Sequence, residues 1–299
     1  VATRDRTEGT QVTDFLQILG EVNTPKPLAD DQRLWSVTTI LKVLSSGGLE
    51  YWQREQVAKA YVSIAKSLPQ RIAEDGEDEV IKWGINAPYR KPRGERSAAQ
   101  LGTDFHEIAE QIAITGKIPK HDAELAPYVV QLDKWLQRAQ PEFLAAEMPV
   151  YHTQFGYAGT CDGVMKIQGA KLIFDWKSSK KSFDKQGKPT HVYPEAGMQL
   201  SAYRYAEYAV PVPPRRWEQM RRRYYLFGDP ERDNATAVPE VAGGIAVHVT
   251  PEHCDAYVMR CDETIYECFL FLLEAAKWQF EISKTVVGDI LQLPELDAV

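Results

Sequence analysis

No apolar run in this chain approaches the roughly 20 residues needed to span a bilayer, so a membrane-spanning helix is not expected. Cysteine is scarce, with four in 299 residues, and no secretory leader precedes them. That combination points to free thiols in a soluble, cytoplasmic protein. An excess of positive charge is also missing. The net charge of −7 argues against a chain that coats nucleic acid non-specifically, although local basic clusters can still track a phosphate backbone. Internal repeats and low-complexity segments are absent, and a hydrophobic content of 44% is enough to bury a substantial core and excludes a disordered chain.

The densest chemistry lies between Tyr157 and Lys177, YAGTCDGVMKIQGAKLIFDWK. Two β-patterned runs, 156–167 and 171–177, flank Gln168, Gly169 and Ala170, a hairpin spacing with the expected glycine. Asp162 follows Gly159 and Thr160 on the first run. Asp175 and Lys177 lie two apart on the second, so their side chains leave one face of the sheet. Leu172, Ile173 and Phe174 lead into Asp175, so the strand starts in a core and delivers charges at its edge. Two close acids raise each other's pKa unless a cation separates them, and a hard divalent metal is the usual remedy. A surface Asp–Lys pair at a strand end is the plainer reading of D-x-K taken alone.

The flanking segments add to this set. Residues 1–34 read as an N-terminal arm, 35–140 as a helical region, 141–285 as the core carrying the hairpin, and 286–299 as a tail. Apolar spacing predicts helices over 40–44, 49–68, 97–115 and 125–139, and a strand over 147–151. In 49–68, Tyr51 and Trp52 share an apolar face and are expected in the core. In the helix after Ser97, Gly102, His106 and Glu110 recur at intervals of four on one face. Glu147 is either a third acid or a strand-end contact. A basic loop spans 89–96, and Lys180, Lys181, Lys185 and Lys188 lie in a polar loop that is either simply solvated or a docking element for a polyanion. A helix over 193–209 places Gln199 and Tyr203 on one face. Strands are expected at 221–227 and 244–250, paired at a sheet edge, and a last helix from Pro251 to Phe280.

Taken in order, G-x-x-x-H-x-x-x-E, a Glu before the hairpin, G-T-x-D, D-x-K and Q-x-x-x-Y resemble the PD-(D/E)xK nuclease superfamily. Within it the chain looks most like the RecB-like and Cas4-like exonucleases, including those of bacteriophages. Gly102, His106 and Glu110 match the first motif, Glu147 the acid before the hairpin, Gly159, Thr160 and Asp162 the second motif, Asp175 and Lys177 the third, and Gln199 and Tyr203 the last. The W-S-V-T-T opening at Trp35 and the Tyr193-Pro194-Glu195 lead into Gln199 also look like the phage-encoded members. The resemblance covers residues 35–250, and the joint order of the motifs makes it more specific than any one of them.

The resemblance implies an α/β fold with a restriction-endonuclease-like core: a central mixed β-sheet flanked by helices, with a helical N-terminal region over the active face. It implies a metal-dependent DNA exonuclease acting on single-stranded or frayed ends in phage-type replication, recombination or repair, in a bacterial or phage-infected cytoplasm. Asp162, Asp175 and the Trp176 carbonyl would hold Mg²⁺ or Mn²⁺ with His106. Lys177 would orient or deprotonate the attacking water, and Gln199 and Tyr203 would position Lys177 or the phosphate. Glu110 would either support His106 from behind or make a structural contact. Lys180, Lys181, Arg90, Arg93 and Trp35 are the expected DNA contacts, recombination or replication proteins the expected protein partners, and no membrane is involved. A structure-specific endonuclease with the same site and a non-catalytic DNA-binding protein are the alternatives.

Cas4-type enzymes hold an iron–sulfur cluster on four cysteines. Here Cys254, Cys261 and Cys268 are seven apart on one expected helix, which separates successive thiols by roughly 10 Å, and Cys161 sits inside the strand motif. No iron–sulfur cluster is therefore expected.

Overall fold

The computed structural model describes residues 34–44, 47–89, 96–210 and 234–287. Among these, β1 (Trp35–Ser36) leads into α1 (Val37–Leu41), followed by α2 (Gly47–Ser63), α3 (Leu68–Asp75), α4 (Glu77–Ile85), α5 (Ala98–Thr115) and α6 (Ala126–Ala139). Then come β2 (Glu142–His152), β3 (Tyr157–Ile167), β4 (Ala170–Ser178), α7 (Glu195–Arg204), β5 (Tyr208–Ala209), β6 (Thr236–Ala237), β7 (Gly243–Val249), β8 (Cys254–Met259) and α8 (Glu263–Phe280). The expected arm, the strand at 221–227, and Arg90 and Arg93 in the basic loop fall outside the described residues.

The protein is a mixed α/β fold. One sheet runs in the order β6-β5-β2-β3-β4-β7-β8, with β1 added parallel to β3. It is mostly antiparallel, the β4–β7 pair being parallel. The β3–β4 hairpin turns on Gln168 and Gly169, both at positive φ, 50° and 88°. This two-residue turn matches the twist of its strands, and Ala170 joins the strand rather than the turn.

Period-two alternation divides the core. Phe174, Trp176, Ile245, Val247 and Val249 pack with Leu101, Phe105 and Ile112 of α5 and with Val129, Leu132 and Trp135 of α6. Val164 and Ile173 pack on the other side with Val37 and Ile40 of α1, Leu200 of α7, and Phe269 and Leu273 of α8. The helix ends follow their capping residues. Ser97 Oγ accepts from Gln100 N at 3.1 Å to open α5, Gly116 at φ 67° closes it, and Asp262 Oδ1 accepts from Ile265 N at the start of α8.

Several expectations need correction. Residues after Pro251 do not begin the last helix. Cys254–Met259 form the strand β8, and the helix waits for the Asp262 cap. Cys254, Cys261 and Cys268 therefore do not share one helix, and the spacing argument drawn from that helix fails. Nor is β7 an edge strand, because it lies between β4 and β8. The strand before the hairpin starts at Glu142, and α7 ends at Arg204 because residues 208–209 pair with β2. Tyr51 and Trp52, expected in the core, are 67% and 44% exposed. Helix α2 packs chiefly through Tyr61, whose ring meets Trp83 edge-on and whose hydroxyl donates to the Val80 carbonyl.

Candidate active site

Strands β3 and β4 pair from Ile167↔Ala170 up to Gly163↔Phe174, and no further. Asp162 and Asp175 are the first residues beyond that last pair. Where the ladder stops, main-chain donors need other partners, and Asp162 Oδ2 accepts from Trp176 N at 2.6 Å. One motif's acid thus closes the gap onto the other motif's strand.

Gly163 makes this local geometry possible. A Cβ there would stand 2.1 Å from the Ala145 carbonyl oxygen, at φ 150°. Only glycine fits, because the obstacle is backbone and cannot yield. Facing it, Glu147 falls between Ala146↔Gly163 and Met148↔Cys161, level with Asp162. Its φ of 50° puts a non-glycine residue in the left-handed region, a conformation that costs energy and recurs at functional sites. Burial first, and then the charges of Asp162, Asp175 and Glu147, push the buried Cys161 thiol well above its ordinary range.

Asp175 is buried, with a side chain 2% exposed, and Lys177 Nζ stands 2.6 Å from its Oδ2. That contact is ionic and poorly aligned as a hydrogen bond, so Oδ2 lacks a well-directed donor. The ammonium's aligned bond runs instead to Gln199 Oε1 at 2.9 Å, and Gln199 Nε2 donates to Tyr203 OH at 3.2 Å. A relay Asp175–Lys177–Gln199–Tyr203 so joins β4 to α7. Burial works against the Lys177 ammonium, but Asp175 and then Asp162 outweigh it and hold its pKa above the ordinary value. Burial and the neighbouring Asp175 raise the Asp162 carboxyl from 3.8 to about 6, against smaller opposing effects of His106, the Trp176 N–H and Lys177.

His106 on α5 reaches the same place, with Nδ1 3.7 Å from Asp162 Oδ2. A Cβ added at Gly102, a turn earlier, would meet Ser178 Oγ at 3.5 Å, an ordinary contact distance, so no close approach requires glycine there. Glu110 is half-buried on α5. Lys181 is exposed, whereas Lys180 Nζ donates to the Arg96 carbonyl at 2.6 Å and lies 3.8 Å from Glu124. Trp35 stacks on Phe280 at 6.0 Å and packs against the core, so the structure gives it a packing role.

Whether these residues suit a divalent cation can be judged from their chemistry. Two carboxylates that resist joint ionisation, one with a buried oxygen lacking an aligned donor, are what a cation would relieve. Among the described residues no group of three or more His, Cys, Asp or Glu stands ready to hold a metal. A set of two carboxylates is smaller than an all-protein cage, and an ion that keeps several waters, such as Mg²⁺, is the kind it would suit. Asp162, Asp175, the Trp176 carbonyl and the nearby His106 are the groups available for it.

One neighbour, His248, escaped the sequence reading, and a second, Glu195, was read there only as part of the lead into Gln199. His248 is the register partner of Lys177 on β7, and Glu195 Oε2 is buried without a hydrogen-bond partner one turn before Gln199 on α7. The i, i+4 spacing could have singled out Glu195. Nothing in the sequence announces that β7 lies beside β4.

No family model matches this chain, and no curated protein matches it. Among solved structures, the crystal structure of SSO0001 is matched at 15% identity over 90% of this chain and 86% of that one, with a TM-score of 0.30. A likeness at that level carries no argument about fold or function.

Proposed function

We propose that this chain is a metal-dependent deoxyribonuclease of the PD-(D/E)xK type, built on a restriction-endonuclease-like core and acting as an exonuclease on single-stranded or frayed DNA ends. The observation that carries the reading is the relay Asp175–Lys177–Gln199–Tyr203 set beside Asp162 at the point where β3 and β4 part. An isolated surface Asp–Lys pair would need neither the buried acid nor the glutamine behind the lysine.

In this reading Asp162, Asp175 and the Trp176 carbonyl hold Mg²⁺ or Mn²⁺, with His106 alongside. Bound there, the cation lowers the pKa of a water and offsets charge on the scissile phosphate. Lys177 would orient or help deprotonate that water, or contact a phosphate oxygen. Gln199 fixes the ammonium's direction, and Tyr203 fixes Gln199. Asp162 must lose its proton to act as a ligand, so its raised pKa makes cation binding steeper in pH than an ordinary aspartate would. DNA is the partner this chemistry serves, and recombination or replication proteins are the class of protein partner that fits it.

The test uses end-labelled linear single strands and covalently closed circles, with Mg²⁺ or Mn²⁺, for the wild type, Asp175→Ala and Lys177→Ala. Degradation of the linear strand alone, abolished by both substitutions, is the expected result. Cutting of the circle would replace the exonuclease by an endonuclease. Absence of any metal-dependent cleavage, with salt-sensitive binding retained, would leave a DNA-binding protein instead.

A further inference from the structure

The polar loop after β4 is a folded finger rather than a slack connection. Asp184 Oδ1 accepts from Gln186 N and Lys188 N at 2.8 and 2.9 Å, Asp184 N donates to the Lys188 carbonyl at 2.8 Å, and Phe183 bridges to Pro189. At the base, Thr190 N donates to the Ser182 carbonyl at 2.9 Å and Thr190 Oγ1 to the Lys181 carbonyl at 2.7 Å. The lysines Lys181, Lys185 and Lys188 are exposed along this finger. Its direction depends on how its two arms are held.

The outgoing arm meets one buried residue. His248 is 1% exposed, and its Nε2 lies 2.8 Å from Ser179 Oγ on the outgoing arm. The Ser179 main chain adds a bond to the Val249 carbonyl at 3.2 Å. The returning arm is tied to the outgoing one at Thr190, and Nδ1 of His248 is buried without a hydrogen-bond partner. Phe183 of the finger lies against His253 with ring centroids 5.8 Å apart, and His253 lies 6.0 Å from His248. Burial, and then His253, hold the His248 pKa below its ordinary value. An apolar side chain would fill the same core position but could not bind Ser179. The imidazole's contribution beyond packing is therefore directional.

We propose that His248 is a positioning residue that clamps the outgoing arm of the Lys181–Lys188 finger to β7, next to Lys177, and so sets the angle at which a polyanionic strand meets the site. The substrate half of this inference rests on the nuclease reading. The clamp half does not.

The experiment compares the wild type with Ser179→Ala, His248→Gln and His248→Leu. It reads kcat and KM on a labelled single-stranded oligonucleotide, together with amide hydrogen exchange over 179–190. Loss of one directional hydrogen bond raises KM by roughly three- to tenfold. The expectation is that rise in Ser179→Ala and His248→Leu with kcat kept within about twofold, faster exchange through the finger, and partial rescue in His248→Gln. A fall in kcat at unchanged KM overturns the inference, as do wild-type KM and exchange in Ser179→Ala, the variant that leaves the core untouched. If the wild type itself cleaves nothing, the nuclease reading is lost and exchange decides the clamp: faster finger exchange in Ser179→Ala upholds it, and unchanged exchange removes it.

Discussion

A Cβ added at Gly159 would stand 2.6 Å from Cε1 of Tyr203 and 3.3 Å from its Cζ, so the strand of the G-T-x-D motif and the helix of the Q-x-x-x-Y motif are fitted to each other at this point. Gly159→Ala must therefore displace the Tyr203 ring, which is 2% exposed and has no free side to move into. Overpacking of this kind costs about 1–3 kcal/mol. Urea unfolding should show that loss, and cleavage should fall with it because Tyr203 OH holds Gln199. In a Tyr203→Ala background only Val37 Cγ2, at 3.2 Å, still crowds the added methyl, so the same substitution should then cost less. An equal penalty in both backgrounds would mean that the two motifs are not coupled through this contact.

Lys177→Met should destabilise the fold as well as stop catalysis. It removes the cation 2.6 Å from the buried Asp175 carboxylate. Breaking a fully buried pair costs about 3–5 kcal/mol, but the lysine side chain is 34% exposed, and solvent screening brings the expectation down to about 1–3 kcal/mol. Asp175→Asn on top of Lys177→Met should recover most of it, since no uncompensated charge remains. Additive losses in the double variant would argue that the two side chains do not interact in solution.

The order of motifs made the site legible, and alternation made the hairpin legible. The turn carries a glycine, Asp175 and Lys177 share a face, and Ser97 opens the helix that brings His106. What could not be read was tertiary. Residues 254–259 look helical after Pro251, and only the open side of β7 makes them a strand. The parallel pairing of Lys177 with His248 depends on a crossover between segments seventy residues apart, which leaves no local trace. Tyr51 and Trp52 sit on a helix with almost no amphipathic bias, so their exposure was not encoded in spacing. Trp35 offered an aromatic surface, and its use was decided by Phe280 at the far end of the chain.

The Asp162 carboxyl gives a pH signature with a definite sign. Its pKa is 3.8 when unperturbed and about 6 in the fold, so between those values the native state binds more protons than the unfolded chain. Stability from this group is then present at low pH and lost as pH rises through the window from about 4 to about 6. Denaturation of the metal-free protein at pH 4.5 and pH 7 should show the trend, on the order of 1–3 kcal/mol, superimposed on other titrations, and Asp162→Asn should remove this part of it. On the nuclease reading the dependence should reverse in the presence of Mn²⁺, because a bound cation would require the ionised acid. Identical pH profiles for the wild type and Asp162→Asn would place the raised pKa elsewhere.

Lys180 and Lys181 are adjacent in sequence, and their surroundings predict opposite consequences of removing them. Lys180 is tied to the Arg96 carbonyl and lies near Glu124. Arg96 itself gathers Asp104, Asp122 and Glu124 in front of α5, so this lysine fastens the finger's base to the helix that carries His106. Lys181 is exposed, and on a nuclease it is free to neutralise a phosphate. Lys181→Ala should weaken oligonucleotide binding evenly across sequences and reduce the slope of log affinity against log salt by roughly 0.7, the value for one single-strand phosphate contact. Lys180→Ala should leave that slope nearly unchanged and lower the melting temperature instead. Salt titrations of both variants by fluorescence anisotropy, with calcium in place of the catalytic ion, separate the two roles. A slope reduced by Lys180→Ala and left intact by Lys181→Ala would reverse the assignment and put the path of the strand along α5 rather than along the finger.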